Sequence, residues 1–338
     1  MNTNSTPTDN QQQKQPIPQQ TLEFYTDDLI KSFKTCQSIK KHEQSINSID
    51  FSPDGTKILT SSSDDSISIF DISRKEISRH LINKTQGCGF AIFTHNPKAI
   101  LCAGKHDFRI MYWCLHSNEI LFSFKGHSNL IIDLSMNPNN DLFLSTSNDG
   151  TSRLWNLHTK QCICIFQDSQ CASFDNSGVI ASVTSTLNKL NDTYENFINL
   201  YDMDKINKGP FDVLGLHTNK NIKQVKFSND GKFIVCLTET ELWIVDAFVC
   251  KTFGNVDLSD ETVNNFDISP DSRYVAVCCE SGNINVYDKN GKFITCLEFH
   301  TKNCNVVKFG KEFAFIASAC NNLVIWIPSK KGKKEIYK

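Results

Sequence analysis

One position recurs seven times along this chain of 338 residues at nearly constant spacing. It is an aromatic or apolar residue at the end of a short run of alternating side chains, and Asp or Asn follows it in most copies. The seven copies are Phe70, Tyr112, Trp155, Tyr201, Val245, Tyr287 and Trp326. Successive copies are 39 to 46 residues apart, and a period of about 40–45 residues is typical of four-stranded propeller blades. The spacing therefore predicts seven blades.

Turn segments alternate with these strand ends. The clearest are FSPDG at 51–55, MNPNN at 136–140, FSNDG at 227–231 and ISPDS at 268–272, with weaker forms at 94–98, 174–178 and 309–313. Pro, Asp, Asn and Gly supply the backbone angles of hairpin loops. Seven turns between seven strand ends predict an all-β, seven-bladed β-propeller.

The third repeat carries a set of polar residues at a characteristic spacing. His127, Ser147, Asp149 and Trp155 resemble the hydrogen-bonded tetrad of WD40 repeats, and the first repeat keeps His42, Ser62 and Asp64. A buried carboxylate is costly unless it is hydrogen-bonded, so such a network specifies the geometry of a blade. We interpret these His and Asp residues as structural, not catalytic, and expect a WD40-type propeller.

The two ends of the chain predict how the ring closes. After Trp326 only twelve residues remain, whereas a candidate strand at 29–39 precedes the first repeat. Pairing this strand with the last blade would remove an exposed sheet edge. We therefore expect a disordered Gln/Asn-rich leader at 1–25, a propeller at 26–329 and a Lys-rich tail at 330–338. An inserted loop is expected at 184–196, within the longest repeat.

Composition and motifs argue against catalysis, metal binding and membrane insertion. The net charge is -2, and the 14 cysteines show no zinc-ligand spacing. Neither a signal peptide nor a membrane-spanning apolar run is evident, so we expect buried reduced thiols in a cytosolic or nuclear protein. Motifs for nucleotide binding, metalloproteases and hydrolases are absent from the sequence. The expectation is a protein that is not an enzyme and has no cofactor.

A propeller of this type presents a face for partners. The turns that carry the Asp positions predict a candidate partner-binding face formed by Ser63, Lys105, Asn148, Tyr194, Thr238 and Glu280. With one basic residue, this set lacks the Arg cluster of a strong phosphate or DNA reader. Peptide partners are therefore expected in preference to sequence-specific nucleic-acid binding, although other loops could add charge.

Several stretches outside the generic repeat positions resemble one family. They are SSSDDSI at 61–67, FTH at 93–95, KGPF at 208–211, KFSNDGK at 226–232, DAF at 246–248, TFG at 252–254 and the ending FIASACNN…WIP at 315–328. The chain resembles the WD-repeat subunit shared by COMPASS (SET-type) histone H3 methyltransferases and the mRNA cleavage/termination machinery.

The resemblance implies a non-catalytic nuclear scaffold. Such a subunit binds the SET-domain methyltransferase that modifies lysine 4 of histone H3 and helps link it to the phosphorylated C-terminal domain of RNA polymerase II. The alternatives are a subunit of a protein phosphatase-1 or cleavage/polyadenylation-termination complex, a generic WD40 adaptor such as a ubiquitin-ligase receptor, and a propeller enzyme.

Overall fold

The computed structural model describes residues 25–188, 193–218, 220–249, 251–301, 303–311 and 313–329. These residues form seven four-stranded antiparallel sheets arranged as the blades of a propeller. The seven-bladed fold expected from the repeat is confirmed. The described part of the chain has no helix long and apolar enough to cross a membrane.

The first half of the chain forms the opening segment and three blades. Helix α1 (Asp27–Lys31) and strand β1 (Phe33–Ile39) come first. Blade 1 contains β2 (Ile46–Phe51), β3 (Lys57–Ser62), β4 (Ser66–Asp71) and β5 (Glu76–Ile82). Blade 2 contains β6 (Ala91–Phe93), β7 (Ala99–Ala103), β8 (Ile110–Cys114) and β9 (Glu119–Phe124). Blade 3 contains β10 (Ile131–Met136), β11 (Leu142–Ser147), β12 (Thr151–Asn156) and β13 (Gln161–Gln167).

The second half forms four blades. Blade 4 contains β14 (Ser169–Phe174), β15 (Val179–Asn188), β16 (Thr193–Asp202) and β17 (Asp212–Thr218), with a 3-10 helix (Met203–Lys208) before β17. Blade 5 contains β18 (Gln224–Phe227), β19 (Phe233–Leu237), β20 (Glu241–Asp246) and β21 (Thr252–Asp257). Blade 6 contains β22 (Val263–Ile268), β23 (Tyr274–Cys279), β24 (Asn283–Asp288) and β25 (Phe293–Glu298). Blade 7 contains β26 (Val306–Phe309), β27 (Ile316–Ala319), β28 (Leu323–Pro328) and β1.

Burial differs systematically across each blade. The second strand is covered by neighbouring blades on both faces, and every residue of β7, β19 and β23 is buried. The outer strands alternate, because one face packs inward and the other meets solvent, as in β13 and β21. This explains why continuous apolar runs such as FIVCL and YVAVCC occur at the second strand.

The hydrophobic core is divided among the spaces between blades. Seven clusters of buried residues are present among the described residues, each joining two neighbouring blades. In one of them Phe51 of blade 1 packs edge-on against Phe315 of blade 7, with ring centroids 5.1 Å apart. Because each cluster needs both of its blades, all seven clusters form only when the ring is closed.

The meandering strands give the ring two different faces. Turns between the second and third strands, and the connections between blades, lie on one face, which we call the upper face. Turns between the first and second strands, and between the third and fourth, lie on the opposite lower face. The tetrad Asp positions are therefore on the upper face, and the FSPDG-type turns are on the lower face.

The predicted ring closure is confirmed. Strand β1 pairs antiparallel with β28, from Phe33 opposite Pro328 to Ile39 opposite Leu323. The strand begins four residues later than expected, because Thr26 caps α1 through its side chain and acidic residues occupy the first turn. Upstream of β1, the backbone N–H of Tyr25 donates to Asp271 of blade 6 (2.9 Å). The opening segment therefore fastens blade 6 as well as blade 7.

The segment at 184–196 is mainly paired strand, so the expectation of an inserted loop is wrong there. Strands β15 and β16 continue past the body of blade 4, and their pairing extends from Thr184 opposite Phe197 to Asn188 opposite Thr193. The extra residues lengthen a hairpin because each added pair satisfies its own backbone groups. Residues 189–192 lie outside the described residues.

The predicted leader and tail also fall largely outside the described part of the chain, at 1–24 and 330–338. Tyr25, the last residue of the predicted leader, is 4% exposed and packs edge-on against Phe309. The described cysteines are all free thiols, and eight of them are buried.

Candidate interaction surface

Blade 3 contains a complete hydrogen-bonded network. Trp155 Nε1 donates to Ser145 Oγ (2.8 Å), which contacts His127 Nε2 (2.7 Å), and His127 Nδ1 contacts Asp149 Oδ2 (2.8 Å). Burial lowers the pKa of His127, so the ring is neutral and can donate through Nδ1 while accepting through Nε2. Every polar atom along this path has a partner, and the ring is not available as a general base.

Asp149 ends this network on the upper face. Burial by itself raises the pKa of this carboxyl, but hydrogen bonds from Thr151, His127 and the Ser128 amide outweigh that effect and lower the pKa to about 2. The Thr151 amide also donates to Asp149 (2.9 Å). The carboxylate therefore holds the turn between β11 and β12 in place.

The assignment of Ser147 to the tetrad is wrong. Ser145 lies between the imidazole and the indole, whereas Ser147, two residues further along the same strand, donates to Asn129 O (3.0 Å). Ser147 Oγ also accepts from the Asp149 amide (3.1 Å). Position 147 is at the end of the strand, so its hydroxyl serves the turn and not the interior of the blade.

Blade 1 has a variant of the same network. His42 Nε2 contacts Thr60 Oγ1 (2.8 Å), and His42 Nδ1 contacts Ser66 Oγ (2.7 Å). Ser66 in turn donates to Asp64, while the His42–Asp64 distance is 3.7 Å. Ser62 therefore is not the partner of His42. It contacts the Gln44 carbonyl at 3.3 Å.

Blade 7 holds a third network that the sequence reasoning missed. Trp326 Nε1 donates to Ser318 Oγ (2.8 Å), Ser318 Oγ contacts His300 Nε2 (2.7 Å), and His300 Nδ1 contacts Cys320 Sγ (3.2 Å). A hydroxyl lies 18 residues after the histidine in all three blades. That spacing would have found Ser145, Thr60 and Ser318 from the sequence.

Replacing the bridging serine should be more damaging than replacing its neighbour. We expect Ser145→Ala to lower the free energy of unfolding by about 2 kcal/mol, because it leaves the Trp155 indole and the His127 ring without their shared partner. Ser147→Ala should cost about 1 kcal/mol or less, since it removes contacts at the end of the strand. Urea denaturation of the two variants compares these losses, and equal losses would contradict the assignment of Ser145.

Charged residues also line the central channel, around a cavity of about 280 Å³. Lys308 Nζ binds Asp50 (2.7 Å) and Lys226 Nζ binds Asp267 (2.9 Å). Asp50 also accepts from the Phe93 amide of the next blade (2.7 Å). These two carboxylates and their lysines join neighbouring inner strands, so these four charges have structural partners.

Asp133 is the exception among the channel carboxylates. Burial raises its pKa to about 6, although the positive charges of Lys226 and Lys308 oppose the shift. Because the folded-state pKa lies above the unfolded value, the ionised carboxylate destabilises the fold at neutral pH.

Replacing Asp133 should therefore stabilise the protein in a pH-dependent way. We expect Asp133→Asn to raise the free energy of unfolding by about 2 kcal/mol at pH 7. The gain should shrink as the pH falls from about 6 to 4, where the native carboxyl takes up its proton. Urea denaturation at several pH values measures the effect, and a gain that did not change with pH would contradict it.

The predicted partner-binding residues lie on or beside the upper face. Lys105 is occupied there, because its Nζ binds Asp65 (2.6 Å) and donates to the Ser63 carbonyl (2.7 Å). Thr238 is fully buried and accepts from the Glu241 amide (2.9 Å), so its place in a contact surface is wrong. Tyr194 lies in the extended hairpin of blade 4, opposite Leu187. Asn148 and Glu280 are exposed in their turns.

The most exposed phenylalanines lie outside this predicted partner-binding face. Among the described residues, the phenylalanines with more than 40% exposure all lie in blades 4 to 7. They are Phe211, Phe248, Phe253, Phe293, Phe299 and Phe313. Four of them, together with Val249, lie at the turns between third and fourth strands of blades 4, 5 and 6. We call these five residues the aromatic rim: Phe211, Phe248, Val249, Phe253 and Phe293.

Blades 5 and 6 touch next to residues of the aromatic rim. A Cβ on Gly254 would lie 2.5 Å from the Asn290 carbonyl oxygen, so β21 and the lower turn of blade 6 touch through a glycine. Phe248 and Val249, in the turn before β21, are 75% and 73% exposed. Exposed apolar side chains grouped in this way mark protein-interaction surfaces.

Comparisons with known proteins identify the family to which this propeller belongs. The model of the WD domain, G-beta repeat, matches residues 33–71 and 118–156, which contain β1 of blade 7 and strands of blades 1 to 3. The chain is 32% identical over 318 residues to WD repeat-containing protein 82 of Drosophila melanogaster, covering 90% of this chain and 97% of the relative. The chain belongs to the WD repeat-containing protein 82 family. Its fold is therefore a WD40 propeller by sequence as well as by structure.

Other relatives of this WD repeat-containing protein 82 family member are named as complex subunits. COMPASS component SWD2 of Saccharomyces cerevisiae is 33% identical over 224 residues, which are 64% of this chain and 65% of the relative. Set1 complex component swd2 of Schizosaccharomyces pombe is 28% identical over 233 residues, or 66% and 63% of the two chains. A model described as eukaryotic translation initiation factor eIF2A also matches residues 173–325, less than half of the chain.

Proposed function

We propose that the chain is a non-catalytic scaffold subunit of a nuclear COMPASS-type histone H3 lysine 4 methyltransferase complex. The names of its relatives support the assembly. The aromatic rim is the observation that carries a scaffold role, because it presents large apolar side chains on three adjacent blades. Phe211, Phe248 and Phe253 belong to the stretches KGPF, DAF and TFG, by which the chain resembles the family.

The polar clusters of the propeller support a role without catalysis. His42, His127 and His300 are buried and hydrogen-bonded within their blades. Two of the three channel carboxylates are bound to lysines. These groups stabilise blades and their junctions, which leaves them without the free acid and base that a hydrolytic site needs.

We further propose that the aromatic rim binds the SET-domain subunit and that the assembled complex contacts the phosphorylated C-terminal domain of RNA polymerase II. Aromatic side chains on a rigid scaffold lose little conformational entropy on binding and dominate the energetics of many interfaces. The rim is on the lower face, away from the turns that the tetrads hold.

Affinity purification of the tagged full-length chain from nuclear extract tests this proposal. Recovery of a SET-domain methyltransferase is expected. Phe248→Ser combined with Val249→Ser should reduce that recovery at least about tenfold, because loss of a central aromatic contact costs about 2 kcal/mol or more.

Leu121→Ser combined with Ile163→Ser is the matched control. Both residues are exposed apolar side chains, 50% and 44%, on the outer strands of blades 2 and 3. This variant should retain the methyltransferase. Recovery of only cullin-type ligase components, of only phosphatase or polyadenylation factors, or equal losses in the two variants, would overturn the proposal.

A further inference from the structure

Two cysteine thiols meet at the junction of blades 6 and 7. Cys278 lies on β23, and Cys304 lies in the connection just before β26. Their sulfur atoms are 3.2 Å apart, and both side chains are fully buried. They belong to the core cluster that joins these two blades to the opening segment of the chain. We call these two residues the cysteine pair.

The backbone of Cys304 is fastened to blade 6 on both sides of the residue. Its amide donates to the Cys279 carbonyl (3.2 Å), and its carbonyl accepts from Asn264 Nδ2 (2.9 Å). A disulfide bond is about 2 Å long, so the two sulfurs need to approach by roughly 1 Å to form one. Because the backbones are already in contact, rotation of the side chains can supply this approach.

Cys279 follows Cys278 in the sequence but faces the other side of the sheet, because successive side chains of a strand point to opposite faces. It belongs to the core cluster between blades 5 and 6, and its sulfur accepts from Asn285 Nδ2 (3.5 Å). The strand therefore presents a single thiol, that of Cys278, to Cys304.

His300 makes the two members of the pair electrostatically different. Burial by itself lowers the pKa of His300, but hydrogen bonds to Cys304 and Cys320 outweigh it and raise the pKa to about 9. The ring is therefore a cation at neutral pH. The hydrogen bond with Cys278 lowers the pKa of Cys304 against the effect of burial, and His300 lowers it further. Burial raises the pKa of Cys278, so Cys304 is the thiolate and Cys278 is the thiol that donates to it.

Cys102, which also hydrogen-bonds another buried cysteine, shows the opposite effect. The hydrogen bond with Cys88 and burial raise the pKa of Cys102 well above its usual value. Contact between two thiols therefore does not by itself produce a thiolate, which is the form that reacts with peroxides. At the cysteine pair, His300 supplies a hydrogen-bonded cation to Cys304.

A shared metal ion would need further ligands, and the described residues contain no group of three or more His, Cys, Asp or Glu able to hold one. We propose that the cysteine pair forms a reversible disulfide bond in response to hydroperoxides.

The oxidation proceeds in two balanced steps. The Cys304 sulfur attacks one oxygen of hydrogen peroxide, the O–O bond breaks, and the leaving hydroxide takes the His300 proton, which gives a sulfenic acid and water. The Cys278 sulfur then attacks the sulfenic sulfur, the S–O bond breaks, and the thiol proton leaves with the hydroxyl as a second water. Counted from the thiol forms, the two residues lose two electrons and two protons.

The disulfide would form just beneath the upper face and would join two blades. Asn303, the residue before Cys304, is exposed, and hydrogen peroxide is small enough to reach the pair when this connection opens locally. Cys278 and Cys304 are 26 positions apart in the sequence. A bond between them restricts the unfolded chain and therefore stabilises the junction of blades 6 and 7.

Peptide mapping of the purified full-length chain tests the proposal. The reduced protein is exposed to hydrogen peroxide, its remaining thiols are alkylated in denaturant, and it is digested with trypsin without reduction. We expect peptide 274–289 linked to peptide 303–308, at a mass two hydrogen atoms below the sum of the free peptides. A dithiol reductant should restore both peptides. The oxidised protein should melt about 5 °C higher than the reduced protein.

Alanine variants assign the two roles. Cys278→Ala should leave the sulfenic acid on Cys304, where dimedone traps it on peptide 303–308, whereas Cys304→Ala should leave Cys278 reduced. Cys279→Ala is the matched control, because it removes a fully buried thiol from the same strand and should retain the link. Thermal melting verifies the folding of each variant, and the peptide map of the unaltered chain decides the matter if a variant does not fold.

Three results would overturn the proposal. The first is a Cys304 that stays reduced at peroxide concentrations that oxidise the exposed Cys36. The second is a link from Cys304 to Cys279 or Cys320 in place of Cys278. The third is tight binding of a zinc ion that Cys304→Ala removes. The site does not depend on the proposed complex, so either proposal can fail without the other.

Discussion

Removing residues 1–39 should leave the chain unable to fold as a monomeric propeller. The deletion takes away β1, the outer partner of β28, and with it Tyr25, Ile30 and Phe33, which are at most 5% exposed. Burial of three such side chains contributes about 6 kcal/mol, which is comparable to the whole stability of many domains. The exposed edge of β28 would also be free to pair with other chains. Size-exclusion chromatography and circular dichroism should show aggregated or unfolded protein.

A shorter deletion is the control for this prediction. Removal of residues 1–24 retains Tyr25, α1 and β1, including the hydrogen bond from Tyr274 to Asp27 (2.6 Å). This protein should melt at the temperature of the full chain. If the variant without residues 1–39 melted there as well, β1 would not be required to close the ring.

Asp149→Ala should be the most damaging single substitution in the polar networks. It removes the partner of the buried His127 ring and of the Ser128 and Thr151 amides at the upper turn of blade 3. Leaving the buried ring and these two amides without their charged partner costs about 3–4 kcal/mol in total. Urea denaturation followed by tryptophan fluorescence measures the loss.

Asp64→Ala provides a matched comparison in blade 1. Asp64 accepts from the Glu43 and Ser66 amides, but His42 is 3.7 Å away and keeps its contacts with Thr60 and Ser66. The free energy of unfolding should fall about 1 kcal/mol less in Asp64→Ala than in Asp149→Ala, because no buried ring loses its partner. A larger loss at Asp64 would contradict the view that direct pairing with the imidazole makes blade 3 the stronger network.

The candidate surface was less predictable than the fold, and particular residues show why. The turns that carry the Asp positions predict Lys105 and Thr238 on a contact face, but the first is bound to Asp65 and the second is fully buried. Exposure depends on how a turn packs against its neighbours, which spacing along the chain does not specify. The wrong assignment of Ser147 to the tetrad has the same cause, because Ser145 and Ser147 lie on one strand and differ only in their depth within the blade.

Periodicity determined the number of blades, because each blade is one local unit of four strands that repeats along the chain. The strand left over at the start and the strand lacking at the end also determined how the ring closes, since an unpaired edge is unfavourable. The tertiary structure alone decided which serine joins His127 to Trp155 and which side chains remain exposed. It also decided that Lys308 of blade 7 pairs with Asp50 of blade 1, because side chains distant in sequence converge only when the blades pack.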